Sequence, residues 1–218
     1  MKARLKRRIL ALSDTHGRLP DLDVSRADCV MIAGDVCPGG SHLPELQRPW
    51  LEGEFSRWVE ALDRPVYLAL GNHDFVDKFD GPPNLCYGTD RIVDDVLLFS
   101  WTPYYCGGWA WEEGELFLSQ VLRGLLEDRP VPSIWLSHGP PWGVCDGRDK
   151  GDKNGSQALW EAIAKYQPHL VICGHIHRAG RKGKIGKTQV YNVAVTRGLA
   201  DATTMYKPMD REPVLIEV

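Results

Sequence analysis

The stretch Ile9-Leu10-Ala11-Leu12-Ser13-Asp14-Thr15-His16-Gly17 passes directly from an apolar run to an acid, an imidazole and a glycine. Continuous apolar runs of this length are typical of strands that are covered on both faces of a sheet. We therefore predict a buried strand over Ile9–Ser13. Its carboxyl end presents two polar side chains, Asp14 and His16, at the edge of that sheet.

The same succession of apolar run and polar turn occurs four more times. Cys29–Ala33 leads into Gly34-Asp35, Val66–Leu70 into Gly71-Asn72-His73-Asp74, Ile134–Ser137 into His138-Gly139, and Leu170–Cys173 into Gly174-His175-Ile176-His177. Ligands of open α/β sheets bind beyond the carboxyl ends of the strands. We therefore expect the five polar ends to converge on one crevice, where glycine lets the backbone turn sharply and approach closely.

The rest of the chain predicts a layered α/β domain with central sheets. Further strands are predicted at Val96–Ser100, Val190–Val195 and Val214–Val218, and amphipathic helices at Phe55–Leu62, Leu118–Leu125 and Leu159–Tyr166, the last with Ser156 as N-cap. Two segments, 101–115 and 140–155, fit neither pattern. We interpret them as long loops, which in compact domains are often functional.

Composition restricts the class of protein. The chain has 218 residues, of which 43% are hydrophobic and 25% charged, so we predict one globular domain over residues 1–218. A net charge of −3 predicts no nucleic-acid-binding patch. No apolar run approaches the roughly 20 residues that span a bilayer, and the run after the basic start is too short for a signal peptide. We therefore predict a cytoplasmic protein with no membrane partner, whose six scattered cysteines are buried free thiols.

The polar strand ends form a ligand set of oxygen and nitrogen atoms without thiolate. It comprises two carboxylates, one amide and four imidazoles: Asp14, Asp35, Asn72, His16, His138, His175 and His177. Such ligands suit Mn, Fe, Zn, Co or Ni, of which we favour Mn. Seven ligands exceed one tetrahedral centre and predict two divalent metal ions, about 3.5–4 Å apart, with a shared carboxylate. Two metals that close acidify a bridging water and clamp an oxyanion, which suits in-line attack on phosphorus.

In type and order these motifs resemble those of the calcineurin-like metallophosphoesterase superfamily, whose pattern is D-x-H, G-D, G-N-H-[DE], a later H and G-H-x-H. The resemblance covers residues 9–197 and implies a two-sheet α/β/β/α sandwich. It implies that the first metal is held by Asp14, His16 and His177, the second by Asn72, His138 and His175, and that Asp35 bridges the two.

The resemblance also implies roles in binding and catalysis. Asn72 and His73 would bind substrate, and His73 is similar to the family histidine that contacts the phosphate and aids departure of the leaving group. Asp74 would orient and polarise the His73 imidazole, as catalytic carboxylates do beside histidines. The alternative for Asp74 is a turn residue.

Branch-specific segments resemble one part of the superfamily more than others. The run Gly34-Asp35-Val36-Cys37-Pro38-Gly39-Gly40 lacks the arginine of the protein phosphatases, which counts against that class. Other segments are similar to the small metallophosphoesterase-domain proteins described from brain, a branch associated with phosphodiester hydrolysis that includes cyclic nucleotides: Ser137-His138-Gly139-Pro140-Pro141-Trp142-Gly143 with Asp146, Trp101-Thr102-Pro103 and Trp109-Ala110-Trp111. Brain members can lack the histidine at His175, so a complete second metal site is expected here.

The sequence therefore predicts a metal-dependent phosphoesterase whose partner is a small phosphate ester, most simply a phosphodiester such as a cyclic nucleotide. One alternative is a phosphomonoesterase or pyrophosphatase of the same fold. Another is a metal-binding scaffold for protein interaction, like the retromer subunit of this superfamily. That subunit lacks the phosphate-contacting histidine, whereas this chain has His73.

Several side chains outside the motifs keep two interpretations. Five aromatic residues either wall the crevice and stack a base or form a lid packed on its own core: Trp101, Tyr104, Tyr105, Trp109 and Trp111. Three basic residues either meet a phosphate or belong to a solvated loop: Arg148, Lys150 and Lys153. The basic run Arg178–Lys187 is a solvent-facing β-hairpin or a guide for anionic substrates. His42 and His169 are interpreted as structural.

Overall fold

The structure is a computed structural model and describes residues 7–39, 42–103, 108–147, 151–196 and 211–218.

The described residues form two large sheets. The first sheet contains, from edge to edge, β13 (Val214–Glu217), β1 (Arg8–Leu12), β2 (Cys29–Ile32), β3 (Val66–Ala69) and β4 (Leu85–Gly88). Its second sheet contains β11 (Lys182–Ile185), β12 (Thr188–Asn192), β10 (Leu170–Cys173), β9 (Ile134–Ser137), β6 (Val96–Phe99) and β5 (Asp90–Val93). Two short strands, β7 (Thr102–Pro103) and β8 (Glu112–Glu113), pair in parallel beside them.

Helices cover the outer faces of both sheets. They are α1 (Pro44–Trp50), a π-helical turn (Leu51–Phe55), α2 (Ser56–Ala61), α3 (Glu115–Leu126) and α4 (Gln157–Tyr166). Among the described residues no helix has the length and apolar character needed to cross a membrane.

Alternating side chains divide the apolar core into three layers. Ile9 of β1 lies in the core between the two sheets, together with Leu98 of β6. Leu10 points to the opposite face and shares a core with Phe55 of the π-helical turn. The outer face of the second sheet packs in the same way on α3 and α4. The layers therefore run helix, sheet, sheet, helix, and the predicted two-sheet α/β/β/α sandwich is confirmed.

All eight predicted strands are present: Ile134–Ser137 and Leu170–Cys173 have the predicted bounds, and the ends of the others differ from the prediction by at most three residues. The predicted helices 118–125 and 159–166 are confirmed as α3 and α4, and the Ser156 hydroxyl accepts the backbone N–H of Leu159 as an N-cap should. The basic run after the last motif forms the predicted hairpin, in which β11 pairs antiparallel with β12.

The region of the first predicted helix is longer and less regular than expected. The helical stretch begins at Pro44, and Pro49 lies inside α1. Proline has no N–H to donate and disturbs the regular helical ladder. A π-helical turn follows it at Leu51–Phe55, before regular α-helix resumes at Ser56.

The described cysteines are free thiols. Cys29, Cys37 and Cys173 are buried, whereas Cys86 and Cys145 are partly exposed. The expectation of buried thiols therefore holds for three of them, and Cys106 lies outside the described residues.

The strand order brings the polar ends together. Strands β1, β2 and β3 run parallel, as do β6, β9, β10 and β12. The two sheets meet where Ser13 forms an isolated parallel bridge with Ala194, and Val195 N donates to Ser13 O at 3.1 Å. This junction places the carboxyl ends of β1, β2, β3, β9 and β10 around one crevice, as the sequence predicts.

Candidate metal centre

Sharp backbone turns at the strand ends direct the predicted side chains toward one point. Asp14, His16, Asp35 and His175 have φ angles of 58°, 47°, 55° and 64°. Residues other than glycine adopt this left-handed region at a cost of roughly 1–3 kcal/mol each, and such residues cluster at functional sites. Asp14, His16 and Asp35 are all buried. The turns therefore place two carboxyl groups and an imidazole inside the protein.

Two glycines allow the close approach of neighbouring strand ends. A Cβ atom at Gly71 would overlap the carboxylate of Asp35 and lie 2.8 Å from Cε1 of His138. A Cβ atom at Gly174 would lie 2.5 Å from Oδ2 of Asp14. Any larger residue at either position would push apart side chains that here come together.

The first group of predicted ligands forms a compact cluster. Asp14, His16, Asp35 and His177 each offer a ligand atom, and these atoms lie within 4.8 Å of one another. Nε2 of His177 lies 3.1 Å from Oδ1 of Asp14 and 3.3 Å from Nε2 of His16. This cluster contains all three side chains predicted for the first metal.

The second group meets around an amide oxygen. Oδ1 of Asn72 lies 3.0 Å from Nε2 of His138 and 3.2 Å from Nδ1 of His175. Asp35 lies between the two groups, since its Oδ1 is 3.4 Å from Nε2 of His138 and its Oδ2 is 3.9 Å from Nε2 of His16. The structure therefore brings together all seven predicted ligands.

Nitrogen and oxygen atoms that can act as acceptors crowd together in this cluster. Nδ1 of His138 lies 2.7 Å from the carbonyl oxygen of Ala33, which can only accept, so Nδ1 donates this hydrogen bond. In the neutral tautomer that makes this contact, Nε2 is an acceptor, and it faces Oδ1 of Asn72 and Oδ1 of Asp35. Buried acceptors that face acceptors are costly. A divalent cation that ligates them would remove this cost, so these residues fit a metal ion.

The electrostatics of the buried acids point the same way. Burial raises the pKa of Asp35 well above its ordinary value, and the charges of Asp14 and Asp74 raise it further. For Asp14, burial is the largest single influence and would raise the pKa, but His177 and two other imidazoles outweigh it and the pKa lies below its ordinary value. A nearby divalent cation would favour the ionised form of both carboxyls.

Two imidazoles of the cluster, those of His16 and His175, are neutral. Burial lowers the pKa of His175 to about 3, with a further contribution from His138. Burial also lowers the pKa of His16 well below its ordinary value. His177 differs, because Asp14 outweighs the effect of burial and raises its pKa. Neutral imidazoles have the lone pair that metal binding requires.

His73 lies beside the cluster and is more exposed to solvent than His16 and His138, which are the most deeply buried histidines of the cluster. Its side chain is 17% exposed, whereas those of His16 and His138 are 0% exposed. Its backbone N–H donates to Oδ1 of Asp35 at 2.8 Å, and its Nε2 lies 4.0 Å from Oδ2 of the same residue. Burial, followed by the charge of His138, lowers the pKa of His73 to about 3.

Asp74 acts on the backbone of the site. Its two oxygens accept N–H groups from Asp35 at 2.9 Å, Cys37 at 2.9 Å and Gly71 at 2.8 Å. The buried carboxylate thus ties the end of β2 to the end of β3, as the turn-residue interpretation requires. Orientation of the His73 imidazole by Asp74 stays a prediction.

Two supporting residues come from outside the motifs and were not predicted. Glu112 lies on β8, within the segment 101–115 that we call the aromatic loop. It is buried, and its Oε1 lies 3.4 Å from Nδ2 of Asn72. Gln47 on α1 donates to the carbonyl oxygen of His73 at 2.8 Å. Neither residue shows a distinguishing spacing in the sequence, because each reaches the site through tertiary packing.

Two further residues hold the ligand-bearing turns. Ser13 Oγ donates to Oδ2 of Asp14 at 2.5 Å. Asn192 donates from Nδ2 to the carbonyl oxygens of Gly174 at 3.0 Å and Ile176 at 3.2 Å. Asn192 ends β12, so an additional polar strand end was the signal that could have identified it.

The aromatic loop divides between core and crevice. Trp101 and Trp111 pack against the apolar core, as a lid that packs on its own core would. Trp109 lies instead against His73, with ring centroids 4.1 Å apart. Tyr104 and Tyr105 lie outside the described residues.

The predictions for His42 and for the three basic residues of segment 140–155 can be compared with the structure in part. His42, interpreted as structural, is exposed and lies 6.1 Å from His73 between ring centroids, so its position beside the site was missed. Lys153 stacks over the ring of Trp142 with Nζ 3.8 Å from its centroid. Arg148 and Lys150 lie outside the described residues.

Comparison with known proteins identifies relatives over most of the chain. The family model described as "Calcineurin-like phosphoesterase" matches residues 7–179. The chain is 26% identical over 204 residues to Uncharacterized protein MJ1162 of Methanocaldococcus jannaschii, covering 85% of this chain and 87% of that protein. It is 23% identical over 244 residues to human Metallophosphoesterase domain-containing protein 1, covering 97% of this chain and 71% of that protein. The crystal structure of TT1561 of Thermus thermophilus shares the fold, with a TM-score of 0.59, 17% identity, and coverage of 86% of this chain and 89% of that one.

Proposed function

The chain belongs to the calcineurin-like phosphoesterase family, and we propose that it uses two divalent metal ions to hydrolyse a small phosphodiester. The observation that carries this proposal is the meeting of seven candidate metal ligands, from five strand ends, with the buried carboxylate of Asp35 between two groups of three. A likeness to the phosphodiesterase-associated branch in residues 137–143 supports a diester substrate.

The proposed ligands follow the two groups of side chains. Asp14, His16 and His177 would hold one ion, and Asn72, His138 and His175 would hold the other. Asp35 lies between the groups and is the proposed bridge. When bound, two divalent ions, with Mn favoured, would acidify a water to serve as nucleophile and would stabilise negative charge on the phosphoryl oxygens.

The chain's own residues then place and protonate the ester. Asn72 and His73 are the proposed substrate-binding residues, because they are adjacent on one turn and His73 is open to solvent. A neutral His73 ring still carries one N–H that can donate to the leaving-group oxygen. An anionic phosphate beside the ring raises its pKa and favours proton donation to that oxygen.

Hydrolysis assays of protein reconstituted with Mn²⁺ test the proposal. We expect turnover of bis-p-nitrophenyl phosphate that exceeds turnover of p-nitrophenyl phosphate and pyrophosphate, and that disappears after chelation. Preference for either of the latter substrates would make the protein a phosphomonoesterase or pyrophosphatase. Metal binding with no hydrolysis of any of the three would favour the scaffold alternative.

A further inference from the structure

One short segment of the aromatic loop runs along the turn that carries His73. Ala110 N donates to the carbonyl oxygen of Asn72 at 3.1 Å, and Trp111 Nε1 donates to the carbonyl oxygen of Asp74 at 2.8 Å. Glu112 completes the attachment through the Asn72 side chain. These contacts fix the backbone that immediately follows Trp109.

The ring of Trp109 lies at the centre of an aromatic cluster beside the proposed phosphate site. Its centroid is 4.1 Å from that of His73 and 4.4 Å from that of His42, and the His42 ring stacks on Phe75 at 5.3 Å and 29°. We call His42, Phe75 and Trp109 the aromatic platform. His42 is exposed, and the other two rings are partly exposed.

Core packing does not account for the position of Trp109. The neighbouring Trp101 and Trp111 belong to the apolar core clusters and donate their indole N–H groups to Asp90 and Asp74. Trp109 contacts two imidazoles and stays partly open to solvent. A large apolar ring held at the rim of a polar crevice is suited to contact the organic part of a substrate.

We propose that the aromatic platform is a subsite that stacks on a planar aromatic group of the substrate, with Trp109 as the principal specificity-determining residue. The inference rests on the proposed function, because it needs a phosphate bound beside His73. The subsite lies on the leaving-group side, since Trp109 contacts the residue proposed to protonate the leaving group. Attachment of residues 110–112 holds the platform in place before substrate arrives, which reduces the entropy lost on binding.

The aromatic group can be an aryl ring carried on the ester oxygen, for which phenylphosphonate is a non-hydrolysable analogue, or a nucleobase carried on a ribose. Two matched pairs of inhibitors separate these sources: phenylphosphonate with methylphosphonate, and AMP with ribose 5-phosphate. Inhibition constants are measured against bis-p-nitrophenyl phosphate on the Mn²⁺-loaded protein. Stacking of a base on an aromatic side chain predicts that at least one aromatic member binds on the order of tenfold more tightly than its partner.

Three variants assign the preference to a residue. The preference is the ratio of the two inhibition constants within a matched pair. Trp109→Ala should reduce this ratio to near one, whereas Trp109→Phe should keep part of the wild-type ratio. Trp160→Ala is the matched control, because Trp160 is 37% exposed on α4, outside the crevice, and this variant should keep the wild-type preference.

The outcomes distinguish this inference from the proposed function. A wild-type protein that hydrolyses the diester but shows no preference in either pair overturns the subsite alone, without reference to any variant. A preference that survives unchanged in Trp109→Ala overturns the role of Trp109. A wild-type protein that hydrolyses no phosphate ester overturns the proposed function itself.

Discussion

Oε1 of Glu112 lies 3.4 Å from Nδ2 of Asn72, so a residue of the aromatic loop sets the direction of an amide in the metal centre. With its nitrogen turned to Glu112, the amide places Oδ1 3.0 Å from Nε2 of His138 and 3.2 Å from Nδ1 of His175. The orientation of the Asn72 oxygen that we propose binds metal therefore depends on a carboxylate that is not itself a proposed ligand.

Replacement of Glu112 should weaken the second metal site without removing a ligand. Residues that orient a metal ligand typically affect metal affinity or activity by about 10–100-fold. We expect Glu112→Ala to lose affinity for the second Mn²⁺ within that range, and Glu112→Gln to recover part of it because its amide oxygen also accepts. Titration calorimetry measures this, with the exposed Glu127→Ala as control. An unchanged second binding constant in Glu112→Ala would contradict the orienting role.

Replacement of Asp35 should affect both metal ions together. Asp35→Asn keeps the shape of the side chain but removes the charge that lies between the two ligand groups. We expect a loss of bound metal at both sites and a loss of hydrolysis. Elemental analysis and diester assays of the same preparation measure the two effects. Full activity with both ions retained would show that Asp35 is not the bridge.

Metal affinity should rise with pH across the histidine range. The charge of Asp14 raises the pKa of His177 above its ordinary value, so below that pKa the ring holds a proton that a metal must displace. His16 and His175 have lowered pKa values and stay neutral, so they add no such dependence. Asp35, with its raised pKa, adds a second displaced proton wherever its carboxyl is protonated.

We therefore expect the logarithm of the Mn²⁺ binding constant to increase by about one per pH unit for each of these two groups that is protonated, and to level off once both have lost their protons. Competition with a chelating indicator dye at several pH values measures this slope. A binding constant that is independent of pH between about 5.5 and 7.5, around the ordinary histidine pKa, would contradict the protonation of His177.

Removal of the His73 imidazole should impair catalysis and leave both metals bound. General acids contribute typically about 10²–10⁴-fold, and the contribution is larger for a poor leaving group. His73→Ala should therefore lose more kcat on an alkyl or cyclic nucleotide diester than on bis-p-nitrophenyl phosphate. Equal losses on both substrates would indicate phosphate stabilisation instead of proton donation. Lost metal would make His73 a ligand.

The strands that carry the site could be predicted from sequence because burial on both faces makes them continuously apolar. Strands β4 and β5 were missed, since they lie at sheet edges and have partly exposed, mixed side chains. Helix α1 was missed because Pro49 argues against a helix in a single sequence. Edge strands and irregular helices depend on neighbours that local pattern does not reveal.

The proposed ligands could be found because each follows a strand, and parallel strands bring their carboxyl ends together. Glu112, Gln47 and His42 could not be found in this way. They lie on a short strand, a helix and a loop, which approach the site only after the sandwich has formed. The platform around Trp109 has the same origin. The sequence therefore identified the residues that we propose bind metal. The structure added the residues that we propose orient these ligands and the aromatic platform that we propose contacts the substrate.

The number of metal ions per chain tests the central claim most directly. Protein purified without chelator, saturated with Mn²⁺ and freed of excess metal, is analysed for manganese and for protein. The convergence of seven proposed ligands, with Asp35 between two groups of three, predicts two ions per chain. A stoichiometry that stays at or below one under saturating metal would contradict the binuclear centre.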